Sequence, residues 1–187
     1  MIDVYNRRLN KVISGFDTPH QFVGSWVYQL PYGKGRKFGS SASGLANGIL
    51  GGWDLDGIVR VQSGQPVAIG GNSLGRSGKI DNPTLARWFD TTAFTPTPAF
   101  TIQTLGPRSP DIRNDYTRNL DAVLVKSFAI KVKDREITTS VRAECFNLTN
   151  TPQFNSPNGT VTSQSFGQVT SMRNTPRQFQ LGMKIKF

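Results

Sequence analysis

The 187-residue chain contains one cysteine, Cys145, and one histidine, His20. One of each cannot supply an intrachain disulfide, a Cys/His zinc site or a Cys/His dyad fixed by spacing, and no metal ligand set or cofactor motif is expected. Charged residues are also few, 18% of the chain, unlike the Ala-, Glu-, Lys- and Leu-filled sequence of a helical bundle. No apolar run approaches the roughly 18 residues a spanning helix needs. A spanning barrel stays open, because its strands need only about 9 to 11 residues of alternating character. Residues 1–8, MIDVYNRR, lack the apolar core of a signal peptide, so a protein acting outside the cytoplasm would need a part upstream.

What the chain does have is glycine, serine, threonine, asparagine and glutamine in quantity beside 36% hydrophobic residues, a profile suited to strands and turns. Twenty-two basic residues against 12 acidic ones give a net charge of +10. Nucleic acid, anionic lipid and lipopolysaccharide phosphate are all electrostatically reasonable partners for such a chain.

Side chains of one face recur every second residue along a strand, and five segments show that period. They lie near residues 21–30, 53–62, 119–132, 137–146 and 178–187. In the first, Phe22, Gly24, Trp26, Tyr28 and Leu30 share a parity. In the second, Trp53, Leu55, Gly57, Val59 and Val61 oppose Asp54, Asp56, Ile58, Arg60 and Gln62. The third carries Lys126 among its apolar positions, where the stem is expected to lie along apolar surface while the ammonium reaches water. A turn at Lys133-Asp134-Arg135 makes the third and fourth segments a hairpin. The last, QFQLGMKIKF, is the cleanest, with Phe179, Leu181, Met183, Ile185 and Phe187 in one unbroken apolar row.

Short connections alternate with long polar ones over residues 63–118 and 147–177, which read as irregular; residues 45–50 leave room for one helical turn at most. Transmembrane barrels have this plan, with short periplasmic turns and long extracellular loops. The expected fold is therefore all-β: an antiparallel transmembrane β-barrel segment of about five strands with long extracellular loops, an incomplete barrel. A soluble, basic β-sandwich binding nucleic acid or polysaccharide is the alternative. It fits less well, because a base-stacking platform mixes aromatic and basic residues on one face, and the last segment separates them.

Within that plan Asp54, Asp56, Arg60, Arg142 and Glu144 are expected to face a hydrated barrel lumen. The pairing of Asp54 with Asp56 superficially suits glycosidase carboxylates or metal ligands, but Arg60 shares their face and no third ligand is near. No catalytic residue is assigned. The stretch from Gly70 to Ile80 lacks the glycine and the hydroxyl residue that a phosphate-binding loop requires at Ser73 and Ile80. Gly33 to Gly39 misses the dinucleotide fingerprint and reads as a basic turn. His20 reads as a local structural residue. Trp26, Tyr28, Trp53 and Phe187 are expected in the aromatic girdles at the membrane interfaces.

Several pieces, in order along the chain, resemble the C-terminal end of the barrel of TonB-dependent outer-membrane transporters of the Oar-like subgroup. They are DVYNRR at residues 3–8, FDTPHQF at 16–22, LPYGKG at 30–35, GGWDLDG at 51–57, QSGQP at 62–66, RAECFNLTN at 142–150 and the terminal strand. Cys145 stands where that family usually has a larger apolar residue. The resemblance implies an outer-membrane location, a barrel of the 22-stranded class and import of a ligand, with no enzymatic step. It implies as partners outer-membrane lipid and lipopolysaccharide, the barrel-assembly machinery, and the TonB system acting through a plug missing from this chain; nucleic acid is not expected. It further implies that the row Phe179, Leu181, Met183, Ile185 and Phe187 is an assembly signal.

Overall fold

A computed structural model describes residues 3–42, 44–132 and 135–186. The turn pair Lys133-Asp134 and the terminal Phe187 lie outside the described residues. In chain order the elements are β1 (Gln21–Gln29), helix α1 (Gly44–Leu50), β2 (Trp53–Gln62), β3 (Asn72–Ser73), β4 (Phe94–Thr95), β5 (Thr117–Val132), β6 (Arg135–Phe146) and β7 (Gln178–Lys186). Short 3-10 turns occupy Arg7–Asn10 and Thr91–Ala93. The chain divides into two compact units.

One unit is a five-stranded antiparallel sheet, ordered β1-β2-β5-β6-β7 and open at both edges, as expected for an incomplete barrel wall. The register from Ala122 opposite Cys145 to Val132 opposite Arg135 joins β5 to β6. The register from Thr138 opposite Lys186 to Phe146 opposite Gln178 joins β6 to β7. Directly opposed residues share a face. Leu181, Ala143 and Leu124 therefore lie in one row, Met183, Val141 and Lys126 in the next, and Ile185, Thr139 and Phe128 in a third. The opposite face carries Gln180, Glu144 and Val123, then Gly182, Arg142 and Val125, then Lys184, Ser140 and Ser127.

Trp26 departs from the girdle expectation. It lies within β1 rather than at an end, and its indole covers Gly57 of β2, where any Cβ would strike the ring. The small residue creates the slot that the large one fills. The connection between β1 and β2 also holds more than the single turn expected: α1 runs seven residues, from Gly44 to Leu50.

The second unit comprises residues 1–21, 62–117 and 152–174. Here the expectation of irregular polar loops needs correction, because these segments enclose an apolar core. Val67, Ile69, Phe89, Ala93, Phe94 and Ile112 are buried, with Trp88, Leu105, Val161 and Phe166 packed against them. Phe89, Phe94 and Phe166 meet edge to face, their ring centroids 5.2 to 6.2 Å apart. Each such pair contributes about 0.5–1.5 kcal/mol beyond its buried area.

Backbone bonds tie distant segments around this core. Val67 N–H donates to Ile112 O at 2.9 Å, Gly70 N–H to Gly159 O at 3.0 Å and Trp88 N–H to Gly167 O at 2.8 Å. Asn72–Ser73 pairs with Phe94–Thr95 as a small ribbon. Arg113 holds the N-terminal segment: its guanidinium meets the Asp17 carboxylate at 2.6 Å and donates to the carbonyls of Asp17 and Gly64 at 3.2 and 3.1 Å.

Candidate functional site

The two faces of the sheet define the candidate site. On the apolar face, β7 is exposed along its length, with Leu181 79% and Phe179 75% accessible. A row of exposed leucine, methionine, isoleucine and phenylalanine on a regular strand needs an apolar surrounding. The sheet's own sequence supplies no cover for it: the alternate residues turn to the other side.

On that other face Arg142 and Glu144 of β6 form an ion pair at 3.1 Å. The pair is only partly buried, and an ion pair in such a setting is worth about 0–1 kcal/mol. Gly182 is the β7 neighbour of Arg142, and a Cβ there would meet open space. Asp54 and Asp56 belong to the polar parity of β2 and are half-buried, while Arg60, four residues on from Asp56, is exposed. The Asp56 Oδ1 atom is buried without a hydrogen-bond partner among the described residues. Neither aspartate joins a cluster of three metal-ligating groups among the described residues. The structure thus brings Arg142 and Glu144 into contact and places Asp54 and Asp56 at successive positions of one strand face.

Lys126 corrects an expectation. It is buried, and its ammonium ends on the carbonyls of Ile49, at 3.3 Å, and Gly51, not in water. The rings of Trp53 and Phe128 lie 5.2 and 5.3 Å from Nζ. Trp53 Nε1 donates to the same Ile49 carbonyl at 2.9 Å. The last carbonyls of a helix have no partner within it and carry partial negative charge, so a cation there is matched chemically. One cation thus anchors α1 and its exit to the sheet. No side-chain pattern marks this arrangement in advance, since the acceptors are main-chain atoms.

His20 is exposed, and its backbone carbonyl accepts the Ser63 N–H at 2.8 Å. In the rejected phosphate-loop stretch, the Ser77 hydroxyl donates to Asp111, so that segment is anchored to a carboxylate and not shaped around an anion.

An open antiparallel sheet with one exposed apolar face and one face bearing paired charges is the wall of a membrane-spanning β-barrel. Comparison with known families agrees: a family model described as an outer membrane beta barrel domain matches residues 1–180. The chain belongs to the outer membrane beta barrel domain family, and membership implies the outer membrane as its location. No curated protein and no solved structure matches the chain.

Proposed function

We propose that this chain forms the C-terminal part of the barrel of a TonB-dependent outer-membrane transporter of the Oar-like subgroup, importing a ligand without chemical conversion. The observation that carries the reading is the opposition of faces in one sheet: Phe179, Leu181, Met183 and Ile185 on one side of β7 and its neighbours, Arg142 with Glu144 on the other. The first face suits lipid. The second, with Asp54, Asp56 and Arg60, suits a water-filled lumen or the surface of a plug. Open strand edges cannot remain unpaired in hydrocarbon, where each unsatisfied backbone group costs several kcal/mol. Further strands are therefore required on both sides, and a large barrel of the transporter class supplies them.

The same edge suggests the assembly partner. A strand with a free edge and an apolar row is suited to strand addition on another sheet, which is the chemistry a barrel-assembly machine would use on Phe179 to Ile185, and on Phe187 beyond them. Anionic lipopolysaccharide is the matching lipid partner for a chain of net charge +10.

The test is made in Gram-negative cells expressing the gene with whatever coding sequence adjoins it. Recovery of the product in the outer membrane, together with cross-linking to TonB that disappears when the proton gradient is collapsed, supports the reading. Recovery in the outer membrane with no energy-dependent TonB cross-link would leave a barrel of another class.

A further inference from the structure

The connection from Pro31 to Gly52 is an ordered piece at the end of the sheet where β5 turns into β6. Its two halves lock together. Gly33, at φ +122°, lies so close to Gly51 that a Cβ would sit 2.8 Å from the Gly51 Cα, and the Lys34 N–H donates to Asn47 Oδ1 of α1 at 2.6 Å. Phe38 N–H donates to Pro31 O at 2.9 Å and Gly33 N–H to Phe38 O at 2.8 Å, which closes the 33–38 turn. A helix of seven residues is too short to be stable by itself. The Lys126 ammonium, on the carbonyls of Ile49 and Gly51 and flanked by the rings of Trp53 and Phe128, supplies the order that length cannot. Lys126 shares a row with Val141 and Met183, so the piece is fastened to the apolar side of the sheet.

What this piece presents outward is apolar and cationic together. Leu45 and Ile49, four residues apart and so on one face of α1, are 85% and 68% accessible, while Ala46 and Asn47 between them are half-buried. Leu50 and Phe38 are exposed as well. In the locked turn Lys34, Arg36 and Lys37 are all exposed, and no aspartate or glutamate occurs from Pro31 to Gly52. Arg36 meets the neutral side chain of Gln29 at 3.0 Å. Three cations within four residues therefore stand beside exposed aliphatic side chains with no acidic residue in the same connection.

A surface that matches both properties is the interface of an anionic bilayer, where amphipathic segments set leucine and isoleucine at the acyl boundary and lysine and arginine among the headgroups. The apolar rows of the sheet face hydrocarbon, and this piece continues that side at its rim. A plug or any other lumenal partner would meet the reverse face, which carries Asp54, Asp56 and Arg60 and the pair of Arg142 with Glu144. The leaflet follows from the connections. In outer-membrane barrels the short turns lie on the periplasmic side, where the leaflet is phospholipid, and lipopolysaccharide fills the opposite one.

We infer that the 31–52 connection is a binding site for anionic phospholipid of the periplasmic leaflet, with Lys34, Arg36 and Lys37 on the headgroup phosphates and Leu45 and Ile49 at the acyl boundary. The inference rests on the barrel reading above for the facing of the sheet and the side of the rim. The experiment uses the protein as cells make it, from the gene with its adjoining coding sequence in Gram-negative cells, with photoreactive benzoylphenylalanine placed in turn at Leu45, Met183 and Gln180. Outer membranes are illuminated and the adducts are identified by mass spectrometry. Met183 should capture lipid of any headgroup and Gln180 none. Leu45 should capture phospholipid with a ratio of phosphatidylglycerol and cardiolipin to phosphatidylethanolamine at least about fivefold above that at Met183. Replacing the three cations together, Lys34→Gln, Arg36→Gln and Lys37→Gln, should bring the two ratios level. Illumination of the unsubstituted rim in isolated membranes at about 1 M salt, where the screening length is about 3 Å, should do the same without any change of sequence in the turn. Protein or lipopolysaccharide adducts at Leu45, no lipid adduct there while Met183 gives one, or a ratio at Leu45 no higher than at Met183 would overturn this inference alone, as would a preference that survives both the substitutions and the salt. Absence of lipid adducts at Met183 would overturn the barrel facing and this inference with it. Anionic lipid captured at Leu45 in a protein that gives no energy-dependent TonB cross-link would overturn only the transport reading.

Discussion

Phe89 and Leu181 are both large apolar residues of one chain, yet the first is wholly buried and the second 79% accessible. The difference belongs to their units. The loop unit follows the rule of water-soluble domains, gathering Val67, Ile69, Phe89 and Phe94 inside. The sheet unit turns Phe179, Leu181 and Met183 outward and sets Arg142 with Glu144 on the reverse. Apolar side chains go where water is absent. For the loops that place is their own interior, and for the sheet it is the bilayer core.

The largest effect should come from emptying the loop core. Phe89→Ala removes the residue that meets both Phe94 and Phe166, and truncation of a buried phenylalanine costs about 3–5 kcal/mol. Limited proteolysis within residues 62–117 is expected to accelerate sharply while the amount of barrel inserted in the outer membrane holds. An equal loss of inserted barrel would show that the two units do not have separate cores.

The outward rule is tested next. Met183→Arg on the apolar face should cost about 2–4 kcal/mol if that position lies near the bilayer midplane, whereas Gln180→Arg on the reverse face should be nearly silent. Outer-membrane yield and heat-modifiable gel mobility report the difference. Equal behaviour of the two variants would mean the facing is wrong.

Lys126 is the exception to the outward rule, a cation in the apolar rows, and it sharpens the comparison. Lys126→Met keeps the stem and removes the donor: the Ile49 carbonyl keeps the Trp53 indole N–H, while the Gly51 carbonyl loses its Lys126 partner at a cost of about 1–3 kcal/mol. Hydrogen exchange is expected to quicken across Gly44–Leu50 and to stay unchanged in the β6–β7 pairing. Unaltered exchange in the helix would show that its C-terminal end is held by other groups.

The two units were not equally legible. Alternation alone marks Phe179, Leu181, Met183 and Ile185 as one face, because a strand's period is two whatever surrounds it. It likewise puts Asp54 and Asp56 on one side of β2, and Arg142 with Glu144 on one side of β6. The loop core has no period to read. Val67, Phe89, Phe94, Ile112 and Phe166 meet only because bonds such as Gly70 to Gly159 and Trp88 to Gly167 join segments far apart in sequence. A usable signal was nonetheless there: a solvated loop has no need of Trp88 beside Phe89, or of Phe94 and Ile112 nearby. The partners of Lys126 and the cover over Gly57 were hidden for a related reason, since a carbonyl or an absent side chain is not distinguished in the sequence by what later occupies it.

The smallest expected effect is a pH dependence confined to the loop unit. Burial pushes the Asp111 carboxyl up, but hydrogen bonds donated by the Ser77 and Ser109 hydroxyls outweigh it and hold the group below its ordinary value. A carboxyl depressed in the folded state contributes stability that is present above its unfolded value, about 3.9 for aspartate, and that is lost as the pH falls through the folded value. Asp111→Asn removes the titrating group while keeping an acceptor oxygen. At pH 7 the variant should show slightly faster amide exchange than the parent around Ser109 and Ile112, whose N–H donates to the Ser109 hydroxyl at 3.3 Å. Below about pH 4 the parent should converge on the variant, because protonation costs it the same charge-assisted bonds. Ser77→Ala should behave in between, retaining the charge but losing one donor. A parent and an Asp111→Asn variant that lose protection in parallel as the pH falls would assign the acid sensitivity of the loops to another group, with Asp90, also held low by the Thr92 hydroxyl and by Arg76 and Arg87, the next to substitute.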